Sequence, residues 1–461
     1  MNPSQVAKGT ATEVRVHLPP VDVASFLTLW FVLVIFIPIT QTVSGFGAIG
    51  QPALLVSLVA PVWWVASRLV PSMHSAPGPQ PIRFALLLYM AFAFSSFGMA
   101  AMRPLTGLEI TASTRKIILL FALVGVALLV ADGIDSRERL RVFLGRLVFL
   151  SGAFAALGIA QFFTGETLTP TIPFLEGQPP QIGSRGGLVR PLSTARHYIE
   201  FAVVVAAMLP LSIHFFLYAR SRRAQNAAAF VCILLLLSVP ISLSRSAGVS
   251  LVVALSVVGI GWSWRRRVNG LLLLLLVLPV ASTALPGVLD VFVGLFDFDQ
   301  SDSVQARLSR VAAVSALIRD RPWFGLGYGT WTPDEQFLLD NEVWRTTLET
   351  GYIGISLVVL LLITACFLAI PRKGAIDVSE EDRHLGFAVA GAIAGLSISM
   401  LAFDAFSYRI LTSLLFTLIG TAGALWRFGF LRDERGGVGL IDRLSPSLWG
   451  GRSMPGDDGL E

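Results

Sequence analysis

The chain has 461 residues, 54% of them hydrophobic and only 14% charged, with a mean hydropathy of +0.71. A spanning helix takes about 20 apolar residues, so this composition is that of roughly a dozen membrane spans and excludes a large soluble domain. The net charge is +5, with only Lys8, Lys116 and Lys373 as lysines among 35 basic residues, and both cysteines (Cys232 and Cys366) lie in apolar runs, which excludes a disulfide framework and a thiolate metal site.

Residues 1–23 read as a polar N-terminal tail with Lys8, Glu13, Arg15 and Asp22, too long and mixed for a signal-peptide n-region, so the first span is expected to stay as an anchor. Apolar segments of spanning length follow at about 24–43, 51–70, 82–102, 116–131 and 142–163, which makes 24–163 a five-helix region. Residues 164–197 form a Pro- and Gly-rich connection, expected to be irregular and, from its length, functional. Four more spans (198–219, 226–243, 246–263, 268–289) fill 198–289. A second long connection, 290–350, opens on Asp290, Asp297, Asp299 and Asp302. Its Val304, Leu308, Val311, Val314 and Ile318, spaced by threes and fours, predict an amphipathic helix at the membrane interface, ended by Pro322-Trp323. The last spans (351–370, 385–403, 409–427) fill 351–427, and 428–461, with arginines among Gly, Ser and Pro, reads as a disordered tail. The predicted fold class is an all-α polytopic membrane bundle of about twelve helices with two long outer loops. No repeat of fixed period is present.

Basic loops are retained on the cytoplasmic side. With the N-terminus inside, the inside loops carry Arg68 and Arg83; Arg137, Arg139 and Arg141; Arg220, Arg222 and Arg223; Arg265, Arg266 and Arg267; and Arg372, Lys373 and Arg383. Both termini are then cytoplasmic and the membrane is the cytoplasmic (inner) one. Arg103, Arg115 and Lys116 are the outer-side exception.

Outward arginines are the first candidates for chemistry, because charge at membrane depth is expensive. Arg245, in Leu243-Ser244-Arg245-Ser246-Ala247-Gly248, offers a planar five-donor fork for phosphate or diphosphate; the same position suits an arginine that merely snorkels at the boundary. Arg190 lies where the first long loop enters the sixth span. His197 and Glu200, three apart, share a helix face as an ion pair, an acid/base pair or half of a metal site would. Arg307 and Arg310 lie beside the apolar stripe of the amphipathic segment, where basic residues commonly meet anionic headgroups. Gly325-Leu326-Gly327-Tyr328-Gly329 permits close backbone approach to a ligand, without the strand or Lys-Ser/Thr of a nucleotide loop. Asp340 and Asn341 precede the tenth span, where a carboxylate either accepts a proton from a hydroxyl or caps the helix.

These elements, in this order, resemble the O-antigen ligase and O-antigen polymerase superfamily. The resemblance covers about 187–356: the Arg190 segment, Ser244-Arg245-Ser246, Ser303 to Arg307, Arg319 through Gly327, Asp340-Asn341, and Glu349-Thr350-Gly351-Tyr352-Ile353-Gly354. The family usually has His-Asn where this chain has Asp340-Asn341, so a lipid A-core ligase fits less well than a polymerase or ligase for another surface polysaccharide. What the resemblance implies is an inverting glycan transferase needing no metal or cofactor, fed by a polyprenyl-diphosphate-linked glycan donor. Asp340, Arg245 and Arg307 would be catalytic, with Arg190, His197, Glu200, Arg310 and Asn341 binding substrate. The expected partners are that donor, a glycan or lipid-glycan acceptor, membrane lipids, and polysaccharide assembly and export proteins, with no nucleic acid. A secondary transporter or lipid-linked glycan flippase is the rival reading, against which stand the unlike halves and the gathering of ionisable groups in outer loops. A non-catalytic scaffold of an export complex is the third.

Overall fold

Short polar side chains start the helices. Thr106 and Glu109 close a capping box, Ser136, Ser221, Asn341 and Ser379 each accept a backbone N–H from the first turn of their helix, and His197 does the same through Nδ1. The apolar runs behind these caps become helices because in lipid the backbone must satisfy its own hydrogen bonds. The computed structural model describes residues 22–70, 80–169, 171–185, 187–272, 275, 313–333, 335–371 and 378–436. Its helices are α1 (Val23–Phe36), α2 (Pro52–Ser57), α3 (Val59–Leu69), α4 (Pro81–Ala100), α5 (Gly107–Gly133), α6 (Arg137–Thr164), α7 (Tyr198–Leu217), α8 (Arg222–Ile241), α9 (Arg245–Gly261), α10 (Glu342–Ala369), α11 (Glu380–Ile398) and α12 (Arg409–Gly436).

The protein is an all-α polytopic membrane protein. Among the described residues nine helical stretches are long and apolar enough to cross a bilayer, α2 and α3 counting together, while α1 and α9 are shorter apolar helices. The predicted span at 268–289 lies almost wholly outside the described residues, as do the 1–21 tail and the residues beyond 436.

Burial sorts the helices into layers. α5, α7, α11 and α12 are mostly buried, whereas α4, α8 and α10 present apolar side chains such as Phe84, Phe230, Ile233, Val359 and Phe367 outward, as lipid-facing helices do. Small residues bring the inner helices into contact: a Cβ at Gly420 of α12 would lie 2.4 Å from the Ala127 carbonyl of α5, and one at Gly391 of α11 2.6 Å from that of Ala254 in α9.

The two ends of the bundle differ in charge pattern. At one end Arg83 reaches Asp132 at 3.0 Å, Arg137 reaches Asp382 at 2.6 Å, Arg266 reaches Glu380 at 2.7 Å, and Arg141 pairs with Glu381. Here the basic loops named above meet the acids at the end of α5 and the start of α11. At the other end lie the 164–197 connection, the 313–341 segment and the starts of α7, α9, α10 and α12. Two small ribbons order this end: β1 (Thr42–Val43) with β2 (Leu175–Glu176), and the hairpin of β3 (Gly183–Arg185) and β4 (Leu188–Arg190). Gln161 of α6 ties the connection down, accepting from Leu192 N–H at 3.1 Å and Ser193 N–H at 2.6 Å while donating to the Ser193 carbonyl at 2.9 Å. The helix at 313–320 puts Val314 and Ile318 against Trp331, Leu339 and Leu348, so this part of the amphipathic segment packs on protein; Val304, Leu308 and Val311 lie outside the described residues.

Candidate active site

α10 is broken at Gly351, whose φ of 67° is left-handed territory that glycine adopts without strain. The break opens the helix to backbone pairing with the loop before it: Leu326 N–H donates to the Leu348 carbonyl and Gly327 N–H to that of Glu349, both at 2.9 Å, and Tyr352 N–H to that of Pro322 at 2.7 Å. Gly325, also left-handed at φ 69°, has no room for a side chain, since a Cβ there would sit 2.4 Å from the Glu349 carbonyl carbon. Gly325 thus makes its close approach to α10 itself, while Gly327 abuts Ala100 of α4 and Gly329 abuts Ser113 of α5.

Below this junction is a buried ion network. Lys116 Nζ meets Glu349 Oε1 at 2.7 Å, and Arg345 Nε meets the same oxygen at 3.4 Å. Arg345 Nη1 donates to Asp404 Oδ2 at 3.0 Å and to Ser407 Oγ at 2.7 Å, while Nη2 donates to the Trp331 carbonyl at 3.1 Å. Gly329 N–H fills Glu349 Oε2 at 3.0 Å. Glu342 accepts from Thr346 Oγ1 at 2.9 Å and Phe406 N–H at 3.0 Å. α5, α10, the 322–331 loop and the α11–α12 link are therefore held by charge at the edge of a pocket that also exposes Tyr89, Tyr328 and Thr412. Lys116, the outer-side exception, is explained by Glu349, and Arg103 likewise by Glu109 at 2.6 Å.

The residues singled out from sequence lie around this frame. Asn341 caps α10, accepting from Trp344 N–H and donating to the Leu401 carbonyl, both at 3.0 Å, so its amide is used at both ends. Asp340, one residue earlier and half-buried, makes no hydrogen bond or ion pair among the described residues. It lies in the field of His197, Asp404 and Tyr408. Burial and the neighbouring Arg190 hold His197 neutral, with its pKa lowered to about 4. Its Nδ1 accepts Ile199 N–H at 3.3 Å, so the proton sits on Nε2, a donor. Burial pushes the Asp404 carboxyl upward, although Arg345 opposes it.

Arg190, at the end of β4, is buried, stacks its guanidinium 3.1 Å from the Tyr198 ring centroid and donates to the Leu243 carbonyl at 3.2 Å. Leu243 carries an unfavourable φ of 51° in the turn between α8 and α9, and Arg245 follows two residues later as the first residue of α9. Half-buried Arg245 makes no side-chain hydrogen bond or ion pair among the described residues. Arg190, His197 and Asp340 thus form one neighbourhood, with Arg245 reached through the Leu243 turn. Glu200 faces elsewhere: it accepts N–H groups of Arg196 at 3.0 Å and Ile410 at 2.7 Å, fastening the start of α12 to that of α7. Arg307 and Arg310 lie outside the described residues.

Glu342 and Arg345 were not singled out from the sequence, and Lys116 and Glu349 were named there without being paired, since each lies inside or at the edge of an apolar run. The signal that could have found them is an acid and a base facing the same end of the bundle, which charge counting by loop does not register.

Polytopic helices, a broken helix packed on a glycine loop, and a gathering of arginine, histidine and aspartate side chains at one end define a membrane protein with a polar pocket region at that end. Residues 229–359 match the family model described as O-Antigen ligase, which supports the O-antigen ligase and polymerase superfamily for this chain. The matched stretch holds Arg245, Arg307, Arg310, Asp340 and Asn341, while Arg190 and His197 precede it. No curated protein matches the chain.

Proposed function

We propose that this protein transfers glycan from a polyprenyl-diphosphate-linked donor to a glycan or lipid-glycan acceptor on the outer face of the cytoplasmic membrane, in surface polysaccharide assembly. The observation that carries this reading is the neighbourhood of Arg190, His197 and Asp340, with Arg245 at the end of the same turn: guanidinium groups gathered beside a carboxylate that makes no hydrogen bond or ion pair among the described residues. The bundle end that bears it is opposite the basic end, which the positive-inside rule puts in the cytoplasm.

In the proposed reaction the diphosphate rests against Arg245 and Arg190, joined by Arg307. The acceptor hydroxyl attacks the anomeric carbon and gives its proton to Asp340. The anomeric C–O bond breaks as the electron pair leaves with the diphosphate, whose growing charge the guanidinium groups offset. Attack opposite the leaving group inverts the anomeric centre. His197, a neutral donor at Nε2, is placed to hydrogen-bond a phosphate or sugar oxygen.

The test supplies membranes containing the protein with a polyprenyl-diphosphate oligosaccharide and no nucleotide sugar. Conversion to longer or transferred glycan, lost in Arg245→Ala and Asp340→Ala, supports the reading. Absence of conversion by folded wild-type protein across varied acceptors favours a transporter or flippase.

A further inference from the structure

Arg409, the first residue of α12, is 8% exposed, yet its Nε and Nη1 have no hydrogen-bond partner among the described residues. Two exposed guanidinium groups share its surroundings: Arg115 on α5 acts on Arg409, and Arg196, just before α7, acts on Arg115. The carboxylate within range, Glu200, is already used, with Oε1 accepting from Ile410 N–H at 2.7 Å and Leu411 N–H at 3.4 Å and Oε2 from Arg196 N–H at 3.0 Å. Three cations thus gather around an acid, Glu200, whose oxygens are directed to backbone N–H groups. A buried guanidinium normally has its donors filled, and an anion with several acceptor oxygens is the ligand that suits these donors.

We propose that Arg115, Arg196 and Arg409 form a second oxyanion subsite that binds a phosphate group, separate from the donor-diphosphate site at Arg190 and Arg245. A phosphate dianion suits three guanidinium groups, two at the rim and one on the floor, better than a single carboxylate does. Arg190 and Arg196 both act on His197, yet Arg190 ties to the α8–α9 turn, whereas Arg115 and Arg409 belong to α5 and α12, so a ligand held by Arg409 is bound by other helices than the donor diphosphate. Assigning that ligand to the acceptor rests on the transferase reading; phosphate binding does not.

The experiment is equilibrium binding of radiolabelled inorganic pyrophosphate to the full chain in phosphatidylcholine nanodiscs. Wild type is expected to show two classes of site, one lost in Arg245→Gln and the other in Arg409→Gln. Arg115→Gln and Arg196→Gln, at exposed positions that spare the fold, are expected to weaken the second class as well, and Arg409→Lys to retain part of it. Repeating the titration with phosphatidylglycerol in the disc separates the sources: competition at the second class marks a phospholipid headgroup as occupant, and its absence leaves the phosphate of a glycan substrate. Wild-type binding in all of the Arg115, Arg196 and Arg409 variants, or a single class lost with Arg245, overturns the proposal. Loss of the second class alongside failure of the transfer assay removes the transferase reading and leaves this subsite standing.

Discussion

Gly351 of α10 and Trp323 of the preceding loop meet backbone to backbone: a Cβ on Gly351 would lie 2.3 Å from the carbonyl carbon of Trp323. Gly351→Ala therefore meets both a positive φ and a clash that only main-chain movement relieves. A destabilisation of about 2 kcal/mol or more is expected, with protease cleavage appearing in the 322–331 loop and glycan transfer lost. Limited proteolysis and thermal unfolding measure it, and a variant as resistant as wild type contradicts the interlock.

The Lys116–Glu349 pair predicts an asymmetric double-mutant cycle. Lys116→Met strips Glu349 of its 2.7 Å partner, leaving a buried carboxylate held by Arg345 and two backbone N–H groups, and is expected to cost about 3 kcal/mol. Adding Glu349→Gln should cost far less than it does alone. Additive losses would show that the two charges do not stabilise one another.

Arg245 and Asp340 lack partners among the described residues, so their removal should leave the fold intact. Arg245→Gln and Asp340→Asn are expected to shift stability by no more than about 0.5 kcal/mol while abolishing transfer. Arg190→Gln should do both kinds of damage, because Arg190 also holds the Leu243 turn. Transfer retained by Asp340→Asn would pass the role of base to another group.

His197 ties stability to pH. Its pKa falls from 6.5 to about 4 in the fold, through burial first and the field of Arg190 second, with Asp340 opposing. Between those values the unfolded chain binds the proton and the folded chain does not, so stability rises with pH across the window and its contribution is complete above about pH 6.5. Unfolding midpoints from pH 4 to 7 should slope upward, and His197→Asn, which keeps a helix-capping side chain, should flatten that slope. An unchanged slope would assign the linkage to other groups.

Much of the site's periphery was legible because charge at a helix end stands out against apolar sequence. Arg190, Arg245 and Asp340 were found in that way, and the structure brings Arg190 and Asp340 to the same imidazole. Other roles could not be read. Glu200, three residues from His197, suggested a shared helical face, but its Oε1 goes to the start of a helix 210 residues on and its Oε2 to the Arg196 N–H. The glycines of 325–329 suggested room for a ligand, and they make room for three helices, Gly325 for α10, Gly327 for α4 and Gly329 for α5.

Hydropathy and the placement of arginines along the chain determined the membrane bundle, its helices and its basic end, because insertion into a bilayer acts on each segment separately and on short-range charge. Tertiary structure alone decided that Lys116 meets Glu349 across 233 residues, that α10 breaks at Gly351 to accept a loop, and that Arg409 is buried with two of its nitrogens unpaired among the described residues. Those relationships depend on which helices pack together, and packing in lipid follows from the shapes of small residues and the pairing of buried charges, neither of which has a period along the sequence.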